Sequence, residues 1–230
     1  MVKVSSTRGV DHVLLLKVKQ GSTEADMQKF TDGVYSLKSI EGVEAVVAGR
    51  ILIEPWLQNR LEGFTHYIRI RLESRTSLKN YQSDHLHVQV RDGCIKPILE
   101  APPLAVDCDD DLWFAENITH EPSEGVDYVM LLKLKPSLED NQIIELKEGV
   151  RSLTTLPGVV SSMVGSIFIE DWLPDRRQGF THYIRIRLQS LEALQALQLQ
   201  KLHIRVNNQC IAPLLASPTL VLQCDAPAEI

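Results

Sequence analysis

The chain has 230 residues, 44% hydrophobic and 23% charged, with a formal net charge of -6; this is the balance of a soluble globular protein of one large or two small domains. Lysine and arginine form no dense block, which argues against nucleic acid or an anionic membrane as partner, because both select clustered cations. No apolar run approaches the ~20 residues of a membrane span.

Residues 1–9 read as a tail. The stretch Val10–Lys19 (VDHVLLLKVK) is long, apolar and free of glycine and proline, so it predicts a strand. Ser22–Ser39 predicts a helix: Ser22 can cap it, and Met27, Phe30, Val34, Leu37 and Ile40 recur at helical spacing. Val43–Glu54 predicts a second strand with a bulge at Gly49, and Phe64–Leu72 a third. Arg75–Leu86 predicts a helix. Val88–Leu99 predicts a shorter, irregular one that ends near Pro97, and Leu104–Cys108 is the fourth strand.

The same series then begins again. GFTHYIRIRL occupies Gly63–Leu72 and recurs without change at Gly179–Leu188. At this offset of 116 positions, Lys17 falls on Lys133, Gly49 on Gly165, Trp56 on Trp172, and Cys94 and Cys108 on Cys210 and Cys224. Roughly 43 of 99 aligned positions are identical without a gap, the mark of a duplicated domain-sized unit. The two copies are placed at 10–108 and 126–225, followed by a short tail at 226–230. Between them, 109–125 is acidic and reads as a linker in which Trp113 and Phe114 need an apolar surface.

Each copy reads β-α-β-β-α-β, the ferredoxin-like order. The fold class is therefore α+β. One such unit covers one sheet face with helices and leaves the other bare. Two units can conceal each other's bare faces, which predicts an intramolecular α/β barrel with outer helices and a monomeric chain.

Alternation along the repeated strand separates two faces. Phe64, His66, Ile68, Ile70 and Leu72 are expected on the helix side, and Thr65, Tyr67, Arg69 and Arg71 toward the barrel interior. Arg185 and Arg187 repeat the arginine pair. These four cations have two readings: pairing with Glu54, Glu73, Asp11 and their copies, or an anion site in the lumen. On the helix side, His12, His66, Tyr81 and His87 can converge against an apolar wall of Phe30, Ile68 and Ile70. A neutral imidazole takes up a proton at neutral pH and a phenol holds a developing oxyanion, while the wall suits a small aromatic or acyl guest. In the second copy His182 and His203 persist, but Tyr128 replaces His12 and Leu197 replaces Tyr81. Histidines that only satisfy the fold are the alternative reading.

The histidines and cysteines show no metal-ligand spacing, so neither a metal nor another cofactor is expected. Four cysteines in a chain of this size suggest free thiols in a reducing compartment. The opening MVKVSSTRGV lacks the apolar core of a secretory signal, and a cytoplasmic location is the default expectation, with peroxisome and plastid as open alternatives. The triplet Asn117-Ile118-Thr119 fits the glycosylation pattern, a common chance match.

Taken together, His12–Lys17 (HVLLLK), Gly63–His66 (GFTH), the Tyr81-x5-His87 spacing and Ala105–Asp107 resemble the stress-responsive A/B barrel family, or Dabb proteins, known best from plants. The resemblance covers both copies, about nine-tenths of the chain. It implies the barrel fold, a link to stress and pathogen defence, and in some members antifungal action. One branch resembles olivetolic acid cyclase, which closes a linear polyketide thioester by aldol chemistry. Carried over by position, that likeness gives Tyr81 and His87 the catalytic roles and His12 and His66 supporting ones. Asp84 stands where many relatives have a further histidine, and the second copy lacks both the tyrosine and the first-strand histidine. The sequence thus leaves three functional readings: a small-molecule-binding stress barrel, a cyclase-like enzyme acting in the first copy, or a protein acting through its surface.

Overall fold

The structure, a computed structural model, describes residues 9–53, 56, 62–109, 112–115 and 125–225; for residues 112–115 it describes the backbone alone. The first half runs β1 (Val10–Leu16), α1 (Glu24–Ser36), β2 (Val43–Arg50), β3 (His66–Leu72), α2 (Arg75–Ser83), α3 (His85–Val90) and β4 (Leu104–Asp109). A short strand, β5 (Leu112–Ala115), follows. The second half repeats the order as β6 (Val126–Leu132), α4 (Asp140–Ser152), β7 (Val159–Phe168), β8 (His182–Leu188), α5 (Leu191–Leu199), α6 (Lys201–Val206) and β9 (Leu220–Asp225). Among the described residues no helix is long and apolar enough to cross a membrane.

Local chemistry sets the helix ends. Thr23, rather than Ser22, caps α1: its side chain accepts from the Asp26 amide while Asp26 accepts from the Thr23 amide, a reciprocal pair that satisfies two otherwise orphaned donors. The helix expected over Arg75–Leu86 is two helices. Asp84 is extended (φ -62°, ψ 138°), ends α2, and caps α3 by accepting from the Leu86 amide at 2.8 Å. A wide turn over Arg91–Ile95 and a tight one over Lys96–Ile98 then lead to Leu99. This accounts for the irregular helical stretch expected before Pro97.

Within each half the strands are antiparallel, with β1 between β3 and β4 and β2 on the outer side of β3. The halves join along two seams. At one, Asp107 and Cys108 on β4 face Phe168 and Ile167 on β7. At the other, Ile51 bridges Cys224 and the Leu52 amide donates to the Gln223 carbonyl at 2.7 Å. The order β2-β3-β1-β4-β7-β8-β6-β9 thereby closes on itself as a barrel, and β5 lies outside this circuit against β7. The stretch expected as a plain linker thus contains a paired strand. Trp113 and Phe114 fall in it, and their side chains lie outside the described ones.

Gly49 has a different role from the one expected. The irregularity in β2 lies between Val43 and Ala45, and Gly49 pairs in register with Tyr67. A β-carbon at Gly49 would collide with the Asp225 carbonyl oxygen, and one at Gly165 with that of Asp109. Each glycine lets a strand of the opposite half approach its backbone at a seam.

Inside the barrel, one apolar cluster joins both halves, including Val13, Leu15, Val106, Val129, Leu131 and Leu222. The Tyr67 and Tyr183 hydroxyls meet there at 3.1 Å. Phe64 and Phe180 belong to this interior cluster and not to the helix side. The reason is that β3 and β8 begin at His66 and His182, so the alternation does not extend back to the phenylalanines. Two further clusters fill the space between sheet and helices, one per half. Each receives side chains from the other half: Phe168, Trp172 and Leu173 pack on the first, Leu52 and Trp56 on the second. Arg75 reinforces this exchange by stacking on Phe168 and pairing with Glu170 at 2.7 Å and with Asp109.

The interior arginines lie against carboxylates of their own sheet. Arg69 and Arg71 reach Asp11 at 3.2 and 3.4 Å, and Arg185 and Arg187 reach Asp127 at 3.1 and 3.5 Å. Arg71 also meets Glu44 at 3.4 Å. Glu73, offered as a partner from the sequence, is not among these partners, and Glu54 lies outside the described residues. Burial by itself would raise the Asp11 carboxyl; the charges of Arg69, Arg71 and Arg185 together outweigh it and hold it below the ordinary 3.8. Removing one partner of a buried pair strands the other charge, at a cost of about 3–5 kcal/mol. Asp11→Asn is therefore expected to lower unfolding free energy by about this amount in urea titrations at pH 7. A carboxyl depressed by folding stabilises above its unfolded pKa and loses that contribution as pH falls through the folded one. The gap between wild type and variant is expected to be full above pH 3.8 and to shrink only below it.

Candidate functional site

Four elements of the first half bring polar side chains to one point between sheet and helices. His12 on β1 shares its face with Leu14 and Leu16 and stands opposite Asp107 on β4. Its Nδ1 lies 2.6 Å from the Asp107 carboxylate. Because a carboxylate only accepts, Nδ1 carries the hydrogen and Nε2 points away from it. Tyr81, in the last turn of α2, places its ring 5.9 Å from that of His12. The break at Asp84 turns the chain so that His87, in α3, comes to 4.4 Å from Tyr81, ring to ring.

His87 is set up as a neutral base. Its Nδ1 donates to the Gln82 carbonyl at 3.1 Å, which leaves the Nε2 lone pair available. Burial, aided by the nearby His12, lowers its pKa to about 4. Tyr81 is 1% exposed; burial first, and then the Asp107 charge, raises its pKa, so it remains a phenol. A lone-pair nitrogen beside a protonated phenol suits removal of an acidic C–H proton, with the phenol steadying the oxygen of the resulting enolate.

His66 does not join this group closely. It pairs in register with Leu16, whereas His12 pairs with Ile70; four residues along a strand separate them by roughly 13 Å. His66 instead lies edge-on to Phe30, rings 6.0 Å apart, with Nδ1 2.9 Å from the Thr65 hydroxyl. Burial, with Arg50 adding to it, lowers its pKa to about 4. Phe30, Ile68 and Ile70 belong with Tyr81 to the same buried cluster.

At the corresponding place in the second half the His12–Asp107 pair is replaced and a cavity opens. Tyr128 stands for His12, and Gln223, opposite Tyr128 in register, stands for Asp107. Leu197 replaces Tyr81. His203 lies 5.9 Å from the Tyr128 ring, and its Nε2 is engaged by the Asn207 amide nitrogen at 3.1 Å. The equivalent first-half residue, Arg91, turns away to Asp92 at 2.8 Å, so His87 carries no such cap. His182 repeats His66, with its Nδ1 3.1 Å from Thr181. A cavity of about 400 Å³ opens between β6, β9 and α6, lined among others by Tyr128, Met130, His203, Ile211, Val221 and Gln223, with Trp56 of the first half on its wall.

Reading the sequence by face placed His12, His66, Tyr81 and His87 together; the structure brings His12, Tyr81 and His87 together and sets His66 apart. Reading by face gave Asp107 no partner, and it missed Gln223, Asn207 and Trp56. The offset of 116 contained a usable signal: His12 and Asp107 change together, to Tyr128 and Gln223, as neighbours on adjacent strands do. The depressed histidines offer a direct check. In NMR titrations His66 and His87 are expected to protonate near pH 4, whereas an unperturbed imidazole does so near 6.5. Because both are depressed on folding, the stability they contribute is full above 6.5 and declines as pH falls toward 4.

Comparison with known proteins agrees with this architecture. The family described as Stress responsive A/B Barrel Domain, Dabb, matches residues 10–109 and again 126–222. The chain is 28% identical over 197 residues to a stress-response A/B barrel domain-containing protein of Arabidopsis thaliana, covering 84% of this chain and 69% of that one. Among solved structures, a protein of Fusobacterium nucleatum superposes over 98% of this chain and 95% of its own at a TM-score of 0.72 and 12% identity. An anthrone oxidase-like protein does so over 100% and 96%, at 0.64 and 9%. At such identities the likeness concerns the fold alone. With two domain matches spanning the two halves of a single closed barrel, the chain belongs to the stress-responsive A/B barrel family as a tandem member.

Proposed function

We propose that this A/B barrel protein serves a stress or defence response by binding a small apolar or aromatic molecule on the helix side of its sheet. The observation that carries this reading is the second-half cavity. Its volume of about 400 Å³ lies within the range typical of small-molecule sites, and its wall mixes apolar side chains with polar ones, Gln198, His203, Asn208 and Gln223 among them. Met130, Ile211, Leu215 and Val221 supply the apolar surface, and Tyr128 and Trp56 supply aromatic surface.

A ligand-observed NMR screen with indole, phenol and short acyl esters checks it. At least one class is expected to bind, and Leu215→Trp, which fills the cavity, is expected to abolish that binding while the fold persists by circular dichroism. Absence of binding to the wild-type chain across the panel counts against the reading.

A second reading rests on the first half, where the open Nε2 of His87 beside Tyr81 fits cyclase-like aldol chemistry. Turnover of a linear tetraketide thioester is the measurement. Tyr81→Phe and His87→Ala are each expected to lower the rate ~100-fold or more, the usual contribution of an acid–base group, whereas His203→Ala leaves it unchanged. Equal rates in all four proteins would remove the first half from the chemistry.

A further inference from the structure

The second-half cavity contains polar groups that the protein leaves unused. Gln223 is 2% exposed and Thr219 6%, both line the cavity, and neither side chain has a hydrogen-bond partner among the described residues. Their polar atoms face the cavity, where an incoming donor or acceptor can reach them. A carboxamide and a hydroxyl on a cavity wall, neither engaged by a neighbouring side chain, are free to meet a partner that arrives from outside.

The chemistry of the lining narrows the partner. Among the described residues that line the cavity there is no carboxylate, ammonium or guanidinium. A charged ligand would lose its hydration there without gaining a counter-charge. The contrast with the first half is specific. There the position of Gln223 is held by Asp107, which accepts a hydrogen bond from His12. In the second half both members of that pair are replaced by neutral groups. A glutamine amide presents one donor and one acceptor side by side, which matches a ligand edge with the same two functions reversed. Tyr128 and Trp56 favour a flat body attached to that edge.

We propose that the second-half cavity is a site for an uncharged, flat molecule with adjacent hydrogen-bond donor and acceptor, the pattern of an aromatic or cyclic amide, read by Gln223 and Thr219. The proposal rests on the binding reading given above and names its ligand class. Three probes of one size separate the possibilities: benzamide, benzoate and acetophenone, titrated while the methyl signals of Met130 and Val221 are followed by NMR. Benzamide is expected to bind at least tenfold more tightly than benzoate. Gln223→Leu is expected to weaken benzamide roughly tenfold, the effect of one lost hydrogen-bonded pair, and acetophenone by less. Thr219→Val provides a second, smaller perturbation in the same direction if the leucine variant folds poorly. Benzoate binding as tightly as benzamide, or a Gln223→Leu protein with undiminished benzamide affinity, overturns the proposal and leaves the binding reading in place. If no aromatic probe of either panel moves these methyls, both fall.

Discussion

The structure depends on the mutual concealment of two bare sheet faces. A four-stranded ferredoxin-like sheet has helices on one side only, and its other face carries Val13, Leu15 and Val106 in one half, Val129, Leu131 and Leu222 in the other, all at most 1% exposed in the closed barrel. Exposed to water, each such side chain forgoes about 1.5–3 kcal/mol of burial. The two seams follow from that demand. They require backbone to approach backbone, which is why glycine stands at 49 and 165, opposite the carbonyls of Asp225 and Asp109. The charges that share the interior must also be matched, which is the task of Asp11 and Asp127 among the arginines.

Fusing two copies in one chain allows the helix-side sites to diverge while each half still covers the other's inner face. The repeated strand is identical in both halves on its inner and its outer face alike. The outer pockets differ. In the first, His12 with Asp107, Tyr81 and His87 form a compact group with a lone pair available for proton transfer. In the second, Asn207 occupies the matching nitrogen of His203, and Tyr128 and Gln223 replace the hydrogen-bonded His12–Asp107 pair. The first arrangement suits acid–base chemistry and the second suits holding a neutral guest.

The pockets are also not independent of the opposite half. Trp56 reaches across to the second-half cavity, and Trp172 with Phe168 and Leu173 reaches across to the core cluster of the first half. The wall of the second-half cavity is therefore complete only when the barrel has closed. An isolated half would lack the cover for its inner sheet face and the side chains that cross from the other half.

The duplication, the β-α-β-β-α-β order, the inner and outer faces of β3 and the convergence of His12, Tyr81 and His87 were all legible in the amino-acid sequence, because they depend on periodicity and on a gap-free offset. Where the alternation ends was not: Phe64 follows the parity of the strand on paper but lies before it in space, in the interior. Nor was Gly49 legible, since its role is set by a strand more than 170 positions away in the chain. The partner of His12, the capping of His203 by Asn207 and the reach of Trp56 were likewise decided only by tertiary structure. Strand register, helix breaks and contacts between halves place those atoms within a few ångströms of each other, and a one-dimensional pattern contains no distances.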